Sequence, residues 1–533
     1  MTGLAGTGKL IRFIARRERV RLSVWLLVLA SVPIVTADAF IELYPTAASR
    51  EALLATVATS PALTALLGPL LDPGIGGLTA WRSGTLGAFF VALMAILTMV
   101  RHTREEEETG RRELLGSTVL GRHAPLAAAS VVTIGAGVVL GGALAAGLTG
   151  VGLPAAGSIA FGFGFTGVAV AFAGVGALAA QLTEASSTAR GVGVAVAGLA
   201  FALRMGGDTG GEGLEWMSWL SPIGWFSRLQ PFAGERWWVL ALWISVGAVM
   251  AITAVAIASS RDVGAGAFPP RPGPARAGAG LRGVFGLAWR LHRGSVIGWA
   301  FGLAALGAVY GGAGESIGDM LEGNPQLQQI FEQLGGEQGL TDAYFSAVLG
   351  IIAIVTAAYA IRAVLRLRVE EEGLRADPLL ATATPRTRWA WSHLVFGLVV
   401  PAMILALAGL FAGVTYGAIT GDLGAQVPRV LGAAVVQLPA VWVLTGTAMA
   451  LYGIAPRRVG LSWAVLVACL ILGQLGQILR FPQWSLNLSP FSHVPRYPAQ
   501  DIEALPLLVL LCIATALIAT GLLAFRRRDV DGG

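Results

Sequence analysis

The sequence predicts an all-α polytopic membrane protein of twelve spans, built as two tandem halves of six with both termini on the cytoplasmic side. Three observations predict it. Of 533 residues, 55% are hydrophobic and only 13% charged, about half the charge of an average soluble domain, and the mean hydropathy is +0.71. Apolar stretches of membrane-spanning length recur along the whole chain. The segments between them repeat. A β-barrel is excluded, because its strands would be about ten residues long and alternate apolar with polar, and no such alternation occurs.

The apolar stretches lie near 22–41, 83–100, 125–149, 156–181, 191–206, 237–259, 296–313, 343–361, 393–417, 430–452, 459–479 and 504–525. Each is long enough to cross a hydrocarbon core of about 30 Å. Small residues within them, such as Gly135, Gly137, Gly141 and Gly142 of the third, imply helices packed at close range. With both termini on one side, that side receives 29 of the 37 basic residues, which marks it as cytoplasmic. The pI of 9.8 therefore reports membrane sidedness and not nucleic-acid binding. Cys469 and Cys512 both fall within spans, so no disulfide framework is expected. The basic segment 1–21 leads into a full-length span without a small-residue cleavage site, unlike a removable signal peptide.

The repeat fixes the architectural unit. After the second span runs Glu106-Glu107-Glu108-Thr109-Gly110-Arg111, ending at Arg122; after the eighth runs Glu370-Glu371-Glu372-Gly373-Leu374-Arg375, ending at Arg386. At a constant offset of 264, seven of 17 positions match. Trp216, Leu220, Ser221 and Pro222 correspond to Trp484, Leu488, Ser489 and Pro490 at offset 268, and Arg16, Arg19 and Trp25 to Arg290, Arg293 and Trp299 at offset 274. Order and sidedness are kept, so tandem duplication in a parallel sense is expected. The halves are placed at 1–260 and 281–533, joined by a cytoplasmic Gly/Pro-rich linker over 261–280, a composition that disfavours helix and strand alike. Apolar and basic residues at helical spacing over 281–293, and more weakly over 7–20, read either as amphipathic helices on the inner membrane surface or as basic flanks of the spans.

Several motifs imitate chemistry. Gly3 to Lys9 nearly spells a phosphate-binding loop, but Leu10 stands where the magnesium ligand belongs and no strand precedes it. Gly314-Glu315-Ser316-Ile317-Gly318 has the spacing of a nucleophile elbow without partners beside it. Gly162, Gly164 and Gly167 fit a dinucleotide pattern inside the fourth span, as 72 glycines make unsurprising. His102, His123, His292, His393 and His493 lack metal-ligand spacing. Neither a catalytic site nor a metal site is expected.

The informative segments are the loops 105–122 and 369–386. Their early acids suit a helix N-terminus through the dipole. Four consecutive acids, Glu105 to Glu108, beside an anionic membrane surface imply a basic protein partner. Here the chain resembles the permease subunits of ABC-2-type exporters, in particular the duplicated actinobacterial permeases for polyketide antibiotics and multidrug export. The resemblance is carried by the acidic run with Gly110-Arg111-Arg112-Glu113-Leu114-Leu115 and Gly121-Arg122, by Gln181-Leu182-Thr183-Glu184, by Leu220-Ser221-Pro222-Ile223-Gly224-Trp225, and by Pro231-Phe232-Ala233-Gly234-Glu235-Arg236-Trp237-Trp238. The second half departs from it, with Pro385 in place of Gly121 and no counterpart of 234–238.

The resemblance implies two six-helix halves of the type V exporter kind, expelling hydrophobic small molecules such as antibiotics from a bacterial cytoplasmic membrane. Two copies of a separate ABC ATPase subunit would carry ATP and Mg, with no cofactor on this chain. It implies coupling to the ATPase through Glu105, Glu106, Glu107, Glu108, Arg111, Glu113, Arg122, Glu370, Glu371, Glu372, Arg375, Asp377 and Arg386. The segments 7–20 and 281–293 would be connecting helices. Segments 207–235 and 481–502 would be external re-entrant elements, or an aromatic belt. By the same architecture, spans two and five of each half line the axis, which names Phe89, Phe90, Met94, Phe201, Tyr344, Phe345 and Gln474 as substrate-pocket candidates. Arg204 and Arg480 are read as interfacial anchors or substrate contacts. An ion-coupled secondary transporter would need membrane-embedded acids, and Asp38 alone lies clearly in a span. A lipid- or glycan-transfer enzyme would have to use Asp208, Glu212, Glu235, Glu315 and Asp319, which form no paired constellation.

Overall fold

Gly6, with φ +79°, turns the chain into a first helix that runs unbroken for 37 residues, α1 (Thr7–Leu43). Beyond Gly8 in its first turn it holds no glycine, and the expected surface segment 7–20 and the first span are one rod. The computed structural model describes residues 3–112, 120–211, 213–262, 264–268, 273, 275–276, 278–281, 283–314, 336–474 and 482–528. Among these, eleven helices are long and apolar enough to cross a membrane, and a twelfth apolar helix over 461–473 is shorter. The chain divides into two compact units, Met1–Pro272 and Gly273–Gly533.

In the first unit, α2 (Ala47–Thr59) and α3 (Pro61–Leu67) follow α1; the hydropathy reading had no helices there. Both are capped, by the Thr46 hydroxyl on the Ser49 amide at 3.2 Å and the Ser60 hydroxyl on the Leu63 amide at 3.3 Å, and Pro61 opens α3 where its missing N–H costs nothing. Then come α4 (Ile75–His102) and, after a break at Thr103, α5 (Arg104–Glu108). The remaining spans are α6 (Ala124–Gly150), α7 (Ala155–Leu182), α8 (Ser186–Thr209) and α11 (Val239–Ser260). Helix α7 is the hub, packing on α4, α6 and α11, while α1 packs on α6 and α4.

Glycine makes those contacts close. A Cβ at Gly162 would meet the Gly141 backbone, one at Gly164 the Phe226 ring and one at Gly167 the Trp243 ring, and Thr166 donates to the Gly137 carbonyl at 3.0 Å. The dinucleotide-like triplet is thus a helix-packing surface. Segment 207–235 folds back into the unit through the short helices α9 (Trp216–Trp219) and α10 (Trp225–Leu229). Ile223, Phe226 and Leu229 enter the core, Ser221 donates to the Ala200 carbonyl at 2.6 Å and the Trp243 indole to the Pro222 carbonyl at 2.7 Å. Trp216, Trp237 and Trp238 stay exposed.

The second unit repeats the plan with α12 (Val284–Ala313), α13 (Gly336–Glu372), the short α14 (Asp377–Leu380), α15 (Arg386–Thr420), α16 (Leu423–Val435), α17 (Leu438–Ile454), α18 (Leu461–Gln474), the short α19 (Gln483–Leu486) and α20 (Ala504–Arg527). Helix α12 packs on α15, and α17 on α13 and α20, the same pairings of first with third, second with fourth and fourth with sixth span. Two features differ from expectation. The tenth span is broken between Val435 and Leu438, where Pro439 in the first turn of α17 cannot donate the backbone bond that would continue α16. From Val284 on, the segment 281–293 again runs straight into its span within α12.

Candidate functional site

The acidic runs sit where the second span of each half ends, and in the second half their helix position reverses the expectation. Glu370, Glu371 and Glu372 are the last three residues of the 37-residue α13, and Glu105 to Glu108 lie in α5, which continues α4 after one residue. Carboxylates at a helix C-terminus are opposed by the dipole. Their charge is met by arginines of the same unit, so the inference from unmet acids to a basic partner does not hold for the buried members.

In the first unit the Glu107 side chain is 1% exposed and paired with Arg104 at 2.7 Å, Arg261 at 2.8 Å and Arg112. Glu106 pairs with Arg17 of α1 and with Arg111 at 3.4 Å. Glu108 accepts from the Ser186 amide at 2.9 Å, capping α8, and Glu105 lies 3.8 Å from Arg190. Glu18 of α1, buried, is held by His102 at 2.9 Å and Arg101 at 3.2 Å. Burial, reinforced by the neighbouring Arg261, pushes the Arg112 guanidinium down to about 10. Burial likewise lowers Arg261. Glu113 lies outside the described residues.

In the second unit Arg528 donates to both Glu371 carboxylate oxygens at 2.8 Å, and Arg368 stands 3.9 Å away. Glu370 is bracketed by Arg366 and Arg375, each at 2.7 Å. Glu372 pairs with Arg368 at 2.8 Å with its side chain 59% exposed. Asp377 opens α14 and is exposed.

The two sites superimpose by sequence offset. Glu106 with Arg111 matches Glu370 with Arg375, and Arg104 matches Arg368, at offset 264. Arg122 donates to the Arg261 carbonyl at 3.0 Å, and Arg386, its counterpart, to the Arg528 carbonyl at 2.8 Å. Arg261 and Arg528 are the C-caps of α11 and α20. They were missed in the sequence although a signal is there: Arg261-Asp262-Val263 recurs as Arg528-Asp529-Val530 at offset 267. Gly110 and Leu374, also 264 apart, both end their helices in the left-handed region, at φ +71° and +55°.

The motif Gln181 to Glu184 serves the first site directly. The Gln181 side chain accepts from Arg261 at 2.8 Å, and the Glu184 carbonyl accepts from Arg104 at 2.6 Å. The segment after Arg261 folds onto the same strip: Ala267 and Phe268 donate to the Gln181 and Leu182 carbonyls at 2.9 and 3.1 Å, and Arg104 donates to the Gly264 and Ala265 carbonyls. The loop-like Gly3 to Lys9 is used here too. Gly121 and His123 donate to the Ala5 and Gly3 carbonyls at 2.9 Å each.

The pocket candidates divide. Phe89 meets Phe90 and Phe201 edge-on, at 5.9 and 5.5 Å between centroids, and Phe90 is exposed. The Tyr344 hydroxyl is engaged, donating to the Tyr310 carbonyl at 2.9 Å. Met94 and Phe345 lie in the core, each 1% exposed within the hydrophobic cluster of its own unit. The Gln474 side chain and Arg480 lie outside the described residues. Arg204 is neither an interfacial anchor nor an accessible contact. It is fully buried, pairs with Asp208 at 3.4 Å and donates to the carbonyls of Thr64, Ala65 and Leu66, fastening α3 to α8.

A family model described as the C-terminal domain of the multidrug efflux system permease Rv1217c matches residues 281–526. The multidrug efflux system permease protein Rv1217c of Mycobacterium tuberculosis is 44% identical over 531 residues, covering 99% of this chain and 96% of that protein. The chain therefore belongs to the family of the multidrug efflux permease Rv1217c and is a multi-pass membrane transport permease.

Proposed function

We propose that this chain is the complete transmembrane part of an ATP-driven ABC exporter of the bacterial cytoplasmic membrane. It would carry twelve spans with both termini inside and expel hydrophobic small molecules, the class that the name of its relative indicates. Two copies of a separate ATPase subunit supply ATP and Mg. The observation that carries the reading is the duplicated ionic site: two loops on the basic side, one per half, each held by the same three-residue geometry. A symmetric pair of subunits needs such a pair of docking points.

The exposed groups are the docking surface in this reading: Glu108 and Arg111 in the first half, with the half-buried Glu105 beside them, and Glu372, Leu374, Arg375 and Asp377 in the second. The buried Glu106, Glu107, Glu370 and Glu371 shape the loops from within, and the exposed Arg122 and Arg386 tie the loop ends to the last spans. Phe89, Phe90 and Phe201 offer an aromatic face to an apolar substrate. The test is reconstitution with the ATPase that co-purifies with the chain, reading rhodamine 6G transport. Transport that requires the ATPase and ATP is expected; transport that persists without it and collapses with the ion gradient refutes the proposal. Reversing the exposed Glu372 and Arg375 together is expected to weaken co-purification while leaving membrane insertion intact.

A further inference from the structure

In each half the loop after the second span grips one residue at the end of the last span from two directions. The carboxylate that begins the loop, Glu107 or Glu371, holds the guanidinium of Arg261 or Arg528 at 2.8 Å. The arginine that ends the loop, Arg122 or Arg386, holds the backbone carbonyl of that same residue at 3.0 or 2.8 Å. A helix C-terminus can be satisfied by water or by any nearby donor, so a stop alone does not call for a buried carboxylate on its cap residue. Away from the loop, α11 packs chiefly on α7 and α20 chiefly on α17, and both last spans present most of their surface outward.

We infer that Arg261 and Arg528 are positioning residues that make the last span of each half move with the loop after its second span. The inference rests on the ATP-driven reading above for the origin of the push. The last span is held at one end by a clamp closed at both points and along its length chiefly by one neighbour. Displacement of the loop therefore transfers directly to the span end. The residues are 154 and 157 positions apart in sequence, and both halves keep the arrangement, although the surrounding charges differ.

The experiment uses the full complex in liposomes and reads rhodamine 6G moved per ATP hydrolysed. The double variant Glu371→Gln with Arg528→Met removes both charges together and leaves no buried charge stranded. Its complex yield is expected to stay near that of the unmodified protein while dye moved per ATP falls about tenfold, within what coupling positions carry. A merely structural role predicts that transport per ATP recovers with the fold, and that result would overturn the inference. If the double variant does not assemble, hydrogen exchange on the unmodified complex decides. Trapping with ATP and vanadate is expected to change protection over 369–386 and 518–528 together, and a change confined to the first segment overturns the inference. Failure of the ATP-driven reading has its own signature, dye transport by the unmodified chain with no ATPase present.

Discussion

The two acidic sites share a skeleton and differ in how much positive charge surrounds it. Glu107 is enclosed by Arg104, Arg112 and Arg261, whereas Glu371 has Arg528 close and Arg368 at 3.9 Å, the latter already engaged by Glu372. The position of Arg112 is taken in the second half by Ala376, 264 residues on and fully buried. What is common to both, the cap arginine and its two bonds, is what the fold of the loop requires. What the first half adds is a tie to the chain that follows, since Arg104 and Arg261 also hold the carbonyls after the last span.

Glu107→Ala strands three guanidinium groups, and loss of one partner of a buried ion pair costs about 3–5 kcal/mol. Membrane-inserted, folded protein is expected to drop sharply, read by detergent-resistant monodispersity on size exclusion. Glu371→Ala strands chiefly Arg528 and is expected to cost less, about 3 kcal/mol at most, with a smaller fall in the same assay. Equal losses would show that the extra arginines of the first half add nothing. Gly162→Val drives a side chain into the Gly141 backbone, and overpacking of this kind costs about 1–3 kcal/mol; thermal unfolding in detergent checks it. The smallest effect concerns the left-handed position shared by Gly110 and Leu374. Leu374→Gly is expected to stabilise the second half by about 1 kcal/mol and Gly110→Leu to destabilise the first by a similar amount, seen as opposite shifts in unfolding temperature.

Hydropathy and small-residue content made the spans readable in the sequence, because crossing a membrane demands a minimum apolar length whatever the packing. Breaks were not readable in the same way. Pro439 divides the tenth span, whereas Pro33 and Pro401 lie inside the unbroken helices α1 and α15; neighbouring helices decide which proline is tolerated. The acidic loops were readable as a repeated site, yet the state of their charges was not. Glu107 meets Arg261 across 154 residues, a distance over which composition carries no pairing information. Met94 and Phe345 show the same limit, since a span residue's choice between core and open face depends on helix rotation, and period alone fixes it poorly in a helix apolar all round.

The stretch after Arg261 also bears on how the two halves could be made separately. By hydropathy the first half ends at the last span, but residues 264–268 are sewn to Gln181, Leu182 and Arg104. Genes split so that the first polypeptide stops at 262 would discard those bonds along with the residues that supply them. A division between 269 and 283 keeps the seam whole, and it is there that co-expressed half-proteins should be designed to meet.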